Sequence, residues 1–284
     1  MSSSIRQRLA ADAEQLAAAL ELEPAGARIE VQSLLQHVLR QSRAWMLAHA
    51  EQALTAIQQA EYQGLLQRRL QGEPIAYLLG EREFYGLLLK VTPATLIPRP
   101  ETELLVELAL ERMPQHQPCR VLDLGAGSGA IALAIAQARP AAMVTAADAA
   151  PAALEVARQN AQRLAIHNVR FVRSNWFAAL AGEDFDLIVS NPPYVAADDP
   201  HLQQGDLRFE PLSALASGAD GLDDIRRIVG ATPAHLRDEG WLLLEHGYDQ
   251  AAKVRELLTQ AGFQRVFSAP DLAGIERVSG GRRA

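Results

Sequence analysis

In the stretch DLIVSNPPYVAADD, residues 186 to 199, a short apolar run ends on Asn191, Pro192, Pro193 and Tyr194. An asparagine side chain offers a carbonyl oxygen that accepts hydrogen bonds. The carbonyl of Pro192 is a second acceptor, held in one direction because Pro192 has a locked φ and is itself followed by proline. Two fixed acceptors close together match a planar –NH₂ group, and Tyr194 adds a flat wall for such a group to lie against. An amide or aryl-amine nitrogen is a poor nucleophile because its lone pair is conjugated. Drawing both N–H bonds toward acceptors loosens that conjugation and aims the lone pair outward. A strong electrophile opposite, such as the sulfonium methyl of S-adenosylmethionine, is then open to in-line attack. Positioning of two reactants can be worth ~7–11 kcal/mol. A hydride-transfer site has no use for this arrangement. The plainer reading is an Asn-Pro turn with Tyr194 in the core.

A glycine-rich turn forms a second group. In DLGAGSGA, residues 123 to 130, Gly125 and Gly127 allow a tight turn and close approach of a ligand to the backbone. Gly129 opens a helix whose free N–H groups favour a ligand's negative end. Asp148 ends the next apolar segment, about 20 residues on, where a carboxylate can accept hydrogen bonds from two ribose hydroxyls. Together these point to a nucleoside-containing ligand without saying which. The turn also satisfies G-x-G-x-x-[GA] through Ala130, so a dinucleotide competes. Two plainer readings stand beside it: a tight turn with no ligand, and Asp148 as a cap on the helix containing Pro151.

Both groups need elements to bring them together. From Arg120 onward strand and helix alternate. RVLDLGAG reads as a strand, 129–138 as a helix, AMVTAAD as a strand, and 152–164 as a helix with Leu154, Ala157, Ala161 and Leu164 on one side. VRFVRSN, FDLIVSN and GWLLLEHG follow as strands, with a helix near 249–261. GFQRVFSAPD and ERVSGGR close the chain as two strands with almost nothing between them, which implies one antiparallel strand at the edge. This alternation gives an α/β fold, a parallel sheet with helices on both faces. Ligands bind such sheets at the carboxyl ends of the strands, so Asn191 to Tyr194, after the fourth strand, share an edge with the glycine turn.

Residues 1–74 read as helices only. Ile5, Leu9, Ala13, Leu16 and Leu20 repeat at helical spacing, and Pro24 and Gly26 break that helix. Val31, Leu34, Leu35 and Val38 form the next stripe. A third runs over 51–71 with Leu54, Ile57, Leu65, Leu66 and Leu70, ended by Gly72 and Pro74. Such short helices must pack on one another to be stable, which predicts a small bundle. Residues 75–97 change character. FYGLLLKVTPATLIP holds two short apolar segments around Thr92-Pro93, the pattern of a hairpin linker. In RPETELLVELALERM, Pro100 suits the first turn of a helix.

Composition bounds the function. A chain of 284 residues, 49% of them apolar and 21% charged, can bury a sizeable core and reads as soluble and globular. A net charge of −7 argues against broad, non-specific nucleic-acid binding, which needs a basic surface. The single Cys119 forbids an intrachain disulfide and fits a reducing cytosol. MSSSIRQRLAADAEQL lacks the apolar segment of a signal peptide, and no apolar run approaches the ~18 residues of a membrane span. The expected setting is the cytoplasm.

Six segments, GEPIAYLLGEREFYG, IPRPETE, DLGAGSGAIALA, SNPPYV, RFEPLSAL and LLLEHG, together resemble the bacterial release factor glutamine methyltransferases, the PrmC/HemK family. Asn-Pro-Pro-Tyr alone also occurs in amino-methylating enzymes acting on DNA, RNA and a ribosomal protein. The bundle and hairpin joined by IPRPETE narrow the resemblance, because the class that methylates a ribosomal-protein glutamine usually differs at that linker. The resemblance implies a Rossmann-like class I methyltransferase sheet of seven strands with the last antiparallel. It divides the chain into a helical bundle for substrate-protein recognition over 1–74, a β-hairpin linker over 75–98 and a catalytic domain over 99–284. It implies transfer of the methyl of S-adenosyl-L-methionine to the glutamine N5 of the Gly-Gly-Gln loop of class 1 peptide chain release factors, modulating translation termination and leaving S-adenosyl-L-homocysteine. Carried over by position, Gly125, Ala126, Gly127, Ser128, Gly129 and Asp148 hold the cofactor, and Trp176 packs beside its nucleoside. Asn191 meets cofactor and substrate, while Pro192, Pro193 and Tyr194 frame the glutamine. One departure stands out: the residue before Trp176 is usually acidic and here is Asn175, whose oxygen can still accept from the adenine amino group.

Other residues carry weaker readings. Arg99 and Glu101 either border the cofactor mouth or belong to a helix start. Glu210 and Pro211 sit in a long segment between the fourth and fifth strands, of a length suited to a lid. The seven histidines show no metal-ligand spacing, and no metal is expected. His246, beside Glu245 at a strand end, reads as structural, and Trp45 and Met46 as bundle core. The competing functions are a nucleic-acid amino methyltransferase, gripping a flipped-out adenine or guanine with the same four residues, a ribosomal-protein glutamine methyltransferase, and a non-enzymatic or dinucleotide-binding protein.

Overall fold

The computed structural model describes residues 3–284, so the first two residues of the amino-terminal stretch lie outside the described residues. The chain divides into two compact units. One holds the residues up to Gly80 with Gln203–Phe209, the other Glu81–Leu202 with Glu210–Ala284.

In the first unit, α1 (Ile5–Leu20), α2 (Pro24–Leu39), α3 (Arg43–Ala48), α4 (Ala56–Leu70) and α5 (Ile75–Leu79) surround a core in which Leu16, Val31, Leu34, Leu35 and Tyr62 are completely buried. Capping boxes start α1 and α4, where Ser4 with Gln7 and Thr55 with Gln58 satisfy free backbone donors reciprocally. Met46 is in this core, and Trp45 is partly buried and stacks on His49. Several details differ from the sequence reading. The break after α1 falls at Glu21, which is left-handed, while Pro24 is the first residue of α2 and Gly26 lies inside it. Proline costs no hydrogen bond in a first helical turn. A short helix not expected from sequence, α3, capped by Ser42, precedes the third stretch, which forms α4 only from Ala56. Ile57 is 81% exposed, because the buried face of α4 runs through Tyr62, Leu66 and Arg69. The buried Arg69 is met by Glu30 at 2.6 Å and Asp206 at 3.4 Å. Ile75–Leu79, read from sequence as the start of the linker, is helical.

In the second unit, β1 (Glu81–Phe84) and β2 (Leu87–Lys90) form a hairpin that turns at Tyr85-Gly86 rather than Thr92-Pro93. Both turn residues have positive φ, 51° and 76°, the geometry that matches the twist of paired strands. Thr92-Pro93 lies beyond β2, in a separate turn closed by Thr95 N–H donating to Thr92 O at 3.0 Å.

The main sheet comprises β3 (Arg120–Leu124), β4 (Met143–Asp148), β5 (Val169–Arg173), β6 (Phe185–Ser190), β7 (Leu236–Glu245), β8 (Gln264–Pro270) and β9 (Glu276–Arg282), ordered β5-β4-β3-β6-β7-β9-β8. Strands β3 to β7 are parallel, and β9 is antiparallel to both of its neighbours. The antiparallel strand at this end of the sheet is therefore the last in sequence, and it lies one place in, with β8 outermost. A connection as short as that between β8 and β9 permits only antiparallel pairing.

Central strands must be apolar on both faces. Val121, Leu187 and Val189 pack with residues of α6 (Glu103–Glu111) and α7 (Ala130–Ala138). Leu122, Leu124 and Ile188 face the other way, with residues of α9 (Asp223–Ala231) and α10 (Ala251–Gln260). The helix α8 (Pro151–Arg163) connects β4 to β5. From β3 the chain winds outward through β4 to β5, then returns to β6 on the other side of β3. The carboxyl ends of β3 and β6 thus flank the topological switch point, where ligands bind sheets of this kind. Among the described residues, no helix is long and apolar enough to cross a membrane.

Candidate active site

Two strand ends meet at the switch point. Leu124 pairs with Ser190, and the Ser190 hydroxyl donates to the Leu124 carbonyl at 2.6 Å. The next residues, Gly125 and Asn191, are neighbours. A Cβ on Gly125 would stand 3.5 Å from the Trp176 ring and 3.9 Å from the Asn191 carbonyl oxygen. Gly125, Gly127 and Gly129 all have positive φ, so the turn depends on glycine. Gly129 also allows α7 and α8 to approach: a Cβ there would meet Ala157 at 3.1 Å.

A cleft of about 250 Å³ opens over these ends, with Gly125, Gly127, Asp148, Asn175, Trp176, Asn191 and Pro193 in its wall. Seven of the residues singled out from sequence therefore share one cavity. Others lie behind it: Ala126 and Ser128 are buried, and Gly129 caps α7. Pro192 is buried outside the wall, and Tyr194 is partly buried with its hydroxyl turned toward Glu245. Pro211 lines the cleft, whereas Glu210 is buried behind it, accepting from Ile97 N–H at 3.1 Å and pairing with Arg99. Glu101 is exposed. His246 is buried, bonded to Gly247 O and Ser279 Oγ. Among the described residues, no cluster of His, Cys, Asp or Glu is arranged to hold a metal.

The acids of the site hold its backbone. Asp148 Oδ2 accepts from Gly127 N–H and Oδ1 from Ala150 N–H, both at 2.8 Å, which ties the glycine turn to the start of α8. Each carboxylate oxygen keeps a lone pair for a further donor. Asp123, not singled out from sequence, is fully buried and its Oδ2 accepts from Ala132 N–H at 3.0 Å, satisfying a free donor in the first turn of α7. Burial pushes its carboxyl up to about 7. Asn160, also missed, donates to the carbonyls of Ser128 and Lys90, at 2.9 and 3.0 Å, linking the glycine turn to the end of β2.

Trp176 sits in the left-handed region at φ 50°, an uncommon conformation for a bulky residue. The Ser174 hydroxyl donates to its carbonyl at 2.6 Å, and the indole N–H donates to Asp224 Oδ1 at 3.1 Å. Ser217 Oγ in turn donates to Asp224 Oδ2 at 2.7 Å. Asp224 stands in the first turn of α9, where an acid merely complements a helix, so sequence offered no sign of this contact.

The Asn191 amide has a defined orientation. Nδ2 donates to Thr102 Oγ1 at 3.2 Å, and Oδ1 makes no hydrogen bond among the described residues. Thr102 is buried, and the buried carboxylate of Glu245 accepts from the Tyr194 hydroxyl at 3.4 Å. Burial raises Glu245 to about 7; burial and then the nearby Glu245 raise Tyr194. Thr102 and Glu245 occur in segments that mark the family resemblance, yet nothing local showed that Thr102 meets Asn191 or that Glu245 meets Tyr194.

Known proteins share these features. Residues 9–80 match the family model of the PrmC N-terminal domain, and residues 101–206 match that of the methyltransferase small domain. The chain is 53% identical over 255 residues to a release factor glutamine methyltransferase of Xylella fastidiosa, covering 90% of this chain and 93% of that protein. It is 50% identical over 283 residues to the release factor glutamine methyltransferase of Vibrio cholerae, covering 99% and 98%. In fold it is similar to the T. thermophilus 16S rRNA N2 G1207 methyltransferase solved with AdoMet and guanosine, with a TM-score of 0.54 at 21% identity over 72% of this chain and 50% of that one.

Proposed function

The chain belongs to the release factor glutamine methyltransferase family, and from that membership we propose that it methylates the side-chain amide nitrogen of the glutamine in the Gly-Gly-Gln loop of class 1 peptide release factors. It is an S-adenosylmethionine-dependent methyltransferase. The observation that carries the finer reading is the Asn191 amide. With Nδ2 engaged by Thr102, Oδ1 is left as an acceptor at the wall of the cleft. With the Pro192 carbonyl it forms the acceptor pair for the two N–H bonds of a substrate amide.

The residues present suit the cofactor. A Cβ on Gly127 would have nothing within 4 Å, so the turn leaves open space above its backbone. Asp148 is the acceptor for the ribose hydroxyls, and Trp176, fixed by Asp224, is the flat neighbour of the nucleoside. Asn175, exposed at the cleft, offers its carbonyl oxygen to the adenine amino group. When bound, S-adenosylmethionine supplies an electrophilic methyl on a sulfonium. Asn191 and Pro192 turn the substrate nitrogen's lone pair outward, and Pro193 and Tyr194 keep the amide flat. The amino-terminal bundle recognises the release factor, and a substrate of the translation machinery puts the reaction in the cytoplasm.

The test is mass spectrometry of a purified release factor after incubation with enzyme and S-adenosylmethionine. One added methyl on the Gly-Gly-Gln glutamine is expected, and none on a Gln→Ala target. Methyl transfer to the Ala variant, or transfer to ribosomal RNA, plasmid DNA or a ribosomal protein in place of the release factor, refutes the assignment.

A further inference from the structure

A flat wall serves a ligand best when its plane is set before the ligand arrives, because ordering it on binding costs affinity. Trp176 is only half-buried, in the wall of the cleft, so core packing does not enclose its ring. Contacts at two opposite edges of the ring take over that task. The six-membered edge lies against the glycine turn, where a Cβ on Gly125 would stand 3.5 Å from Cζ3 and 3.8 Å from Cη2. The other edge carries the indole N–H, which can only donate, and it donates to Asp224 Oδ1 at 3.1 Å.

Asp224 is itself held in place. Ser217 Oγ donates to Oδ2 at 2.7 Å and accepts from the Asp224 N–H at 2.8 Å, and Arg227 Nη1 lies 3.3 Å from Oδ1. Ser217 is buried, and only 15% of the Asp224 side chain is exposed. We propose that Asp224 is a positioning residue for the cofactor, which fixes the plane of the Trp176 indole before the nucleoside binds. This rests on the reading that the cleft takes S-adenosylmethionine with Trp176 beside its nucleoside.

The neighbouring acid separates this role from the ordinary one of an acid at a helix start. Asp223 stands in the same first turn of α9, with 51% of its side chain exposed, and pairs with Arg226 at 3.1 Å. An acid placed so complements the helix dipole from the solvent side. Asp224 turns inward instead and commits one carboxylate oxygen to Trp176 and the other to Ser217. Removing either acid takes one charge from the same turn, but only Asp224 touches the ring.

One arm of the experiment needs no ligand. The chain has three tryptophans, and the indole N–H resonance of Trp176 is assigned by its loss in Trp176→Phe. By NMR that resonance should move upfield in Asp224→Ala, move less in Asp224→Asn, which keeps a neutral oxygen acceptor, and hold in Asp223→Ala. In the binding arm, calorimetry with S-adenosylhomocysteine should give a Kd about 10-fold weaker in Asp224→Ala, the low end of what a hydrogen bond to a charged group is worth. Asp224→Asn should recover most of that loss, and Asp223→Ala should show none. Phenylalanine at 176 keeps a ring but has no N–H, so in that background Asp224→Ala should weaken Kd by less than about threefold more. A resonance unmoved in Asp224→Ala, an unchanged Kd, an equal loss in Asp223→Ala, or an undiminished loss in the Trp176→Phe background overturns the inference. If Asp224→Ala does not fold, Asp224→Asn decides, because a resonance unmoved there also overturns it. If the wild-type protein binds no S-adenosylhomocysteine, the cofactor reading fails, and the resonance alone decides whether Asp224 orients the ring.

Discussion

Replacing Asn191 with alanine separates a chemical role from a structural one, because the two predict different magnitudes. Structurally, the side chain gives up one hydrogen bond, Nδ2 to Thr102 at 3.2 Å, at a partly exposed position. A neutral bond of this kind contributes about 0.5–1.5 kcal/mol. For a catalytic unit of this size, each kcal/mol moves the melting temperature by roughly 2–4 °C. The fold should therefore lose a few degrees at most. Chemically, the variant removes the free oxygen Oδ1, one of two acceptors proposed to grip the substrate amide. Loss of one aligned polar group at a reacting centre costs about 10²–10³-fold in turnover, or about 2.7–4 kcal/mol. The catalytic loss should exceed the stability loss by at least about 1 kcal/mol. The assay is the initial rate of labelled methyl transfer to a purified release factor at saturating cofactor, beside a thermal melt of each protein. Near-normal turnover would remove Asn191 from the mechanism, and so would a rate loss matched by unfolding at the assay temperature.

Asp148→Ala should chiefly weaken cofactor binding by calorimetry; an unchanged Kd contradicts its proposed ribose contact. Because the side chain also caps Gly127 and Ala150 N–H, that variant should melt lower as well. Asp123, raised by burial to about 7, favours the protonated fold, so its contribution to stability is present below the usual carboxylate range and lost as pH rises through about 7. Asp123→Asn should therefore lose less melting temperature than the wild type between about pH 4 and pH 8; parallel profiles would show that this carboxyl does not titrate as argued.

The parts legible in sequence were those whose cause is local. Gly125 and Gly127 announced themselves because their backbone lies at positive φ, a requirement that acts on the residue alone. The alternation of apolar segments from Arg120 onward announced the sheet, because a strand covered on both faces must be apolar along its length. Asn191 to Tyr194 were identified by residue type, and their place after β6 put them beside the glycine turn. Where local signals competed, sequence misled. Thr92-Pro93 resembles a hairpin turn, but Tyr85-Gly86 is the pair in the required left-handed geometry. Gly26 looks like a break yet sits exposed within α2, a helix anchored in the bundle core by Ala27, Val31, Leu34 and Leu35. Ile57 belongs to an apolar count but not to the face that Tyr62 and Leu66 define.

By itself, then, the sequence determined the α/β architecture, the glycine turn, the acceptor motif and the resemblance to a family, because backbone preference and hydrophobic period are written residue by residue. Only the tertiary structure decided that Asn191 bonds Thr102 and Tyr194 bonds Glu245, that Asp224 holds Trp176, and that β9 lies inside β8. The hydrogen bonds of Trp176, Tyr194 and Asn191 join residues 48 to 89 positions apart. A hydroxyl or a carboxylate reads the same in sequence whether it faces water or a buried partner; the difference arises only when the sheet closes over it and solvent can no longer satisfy it.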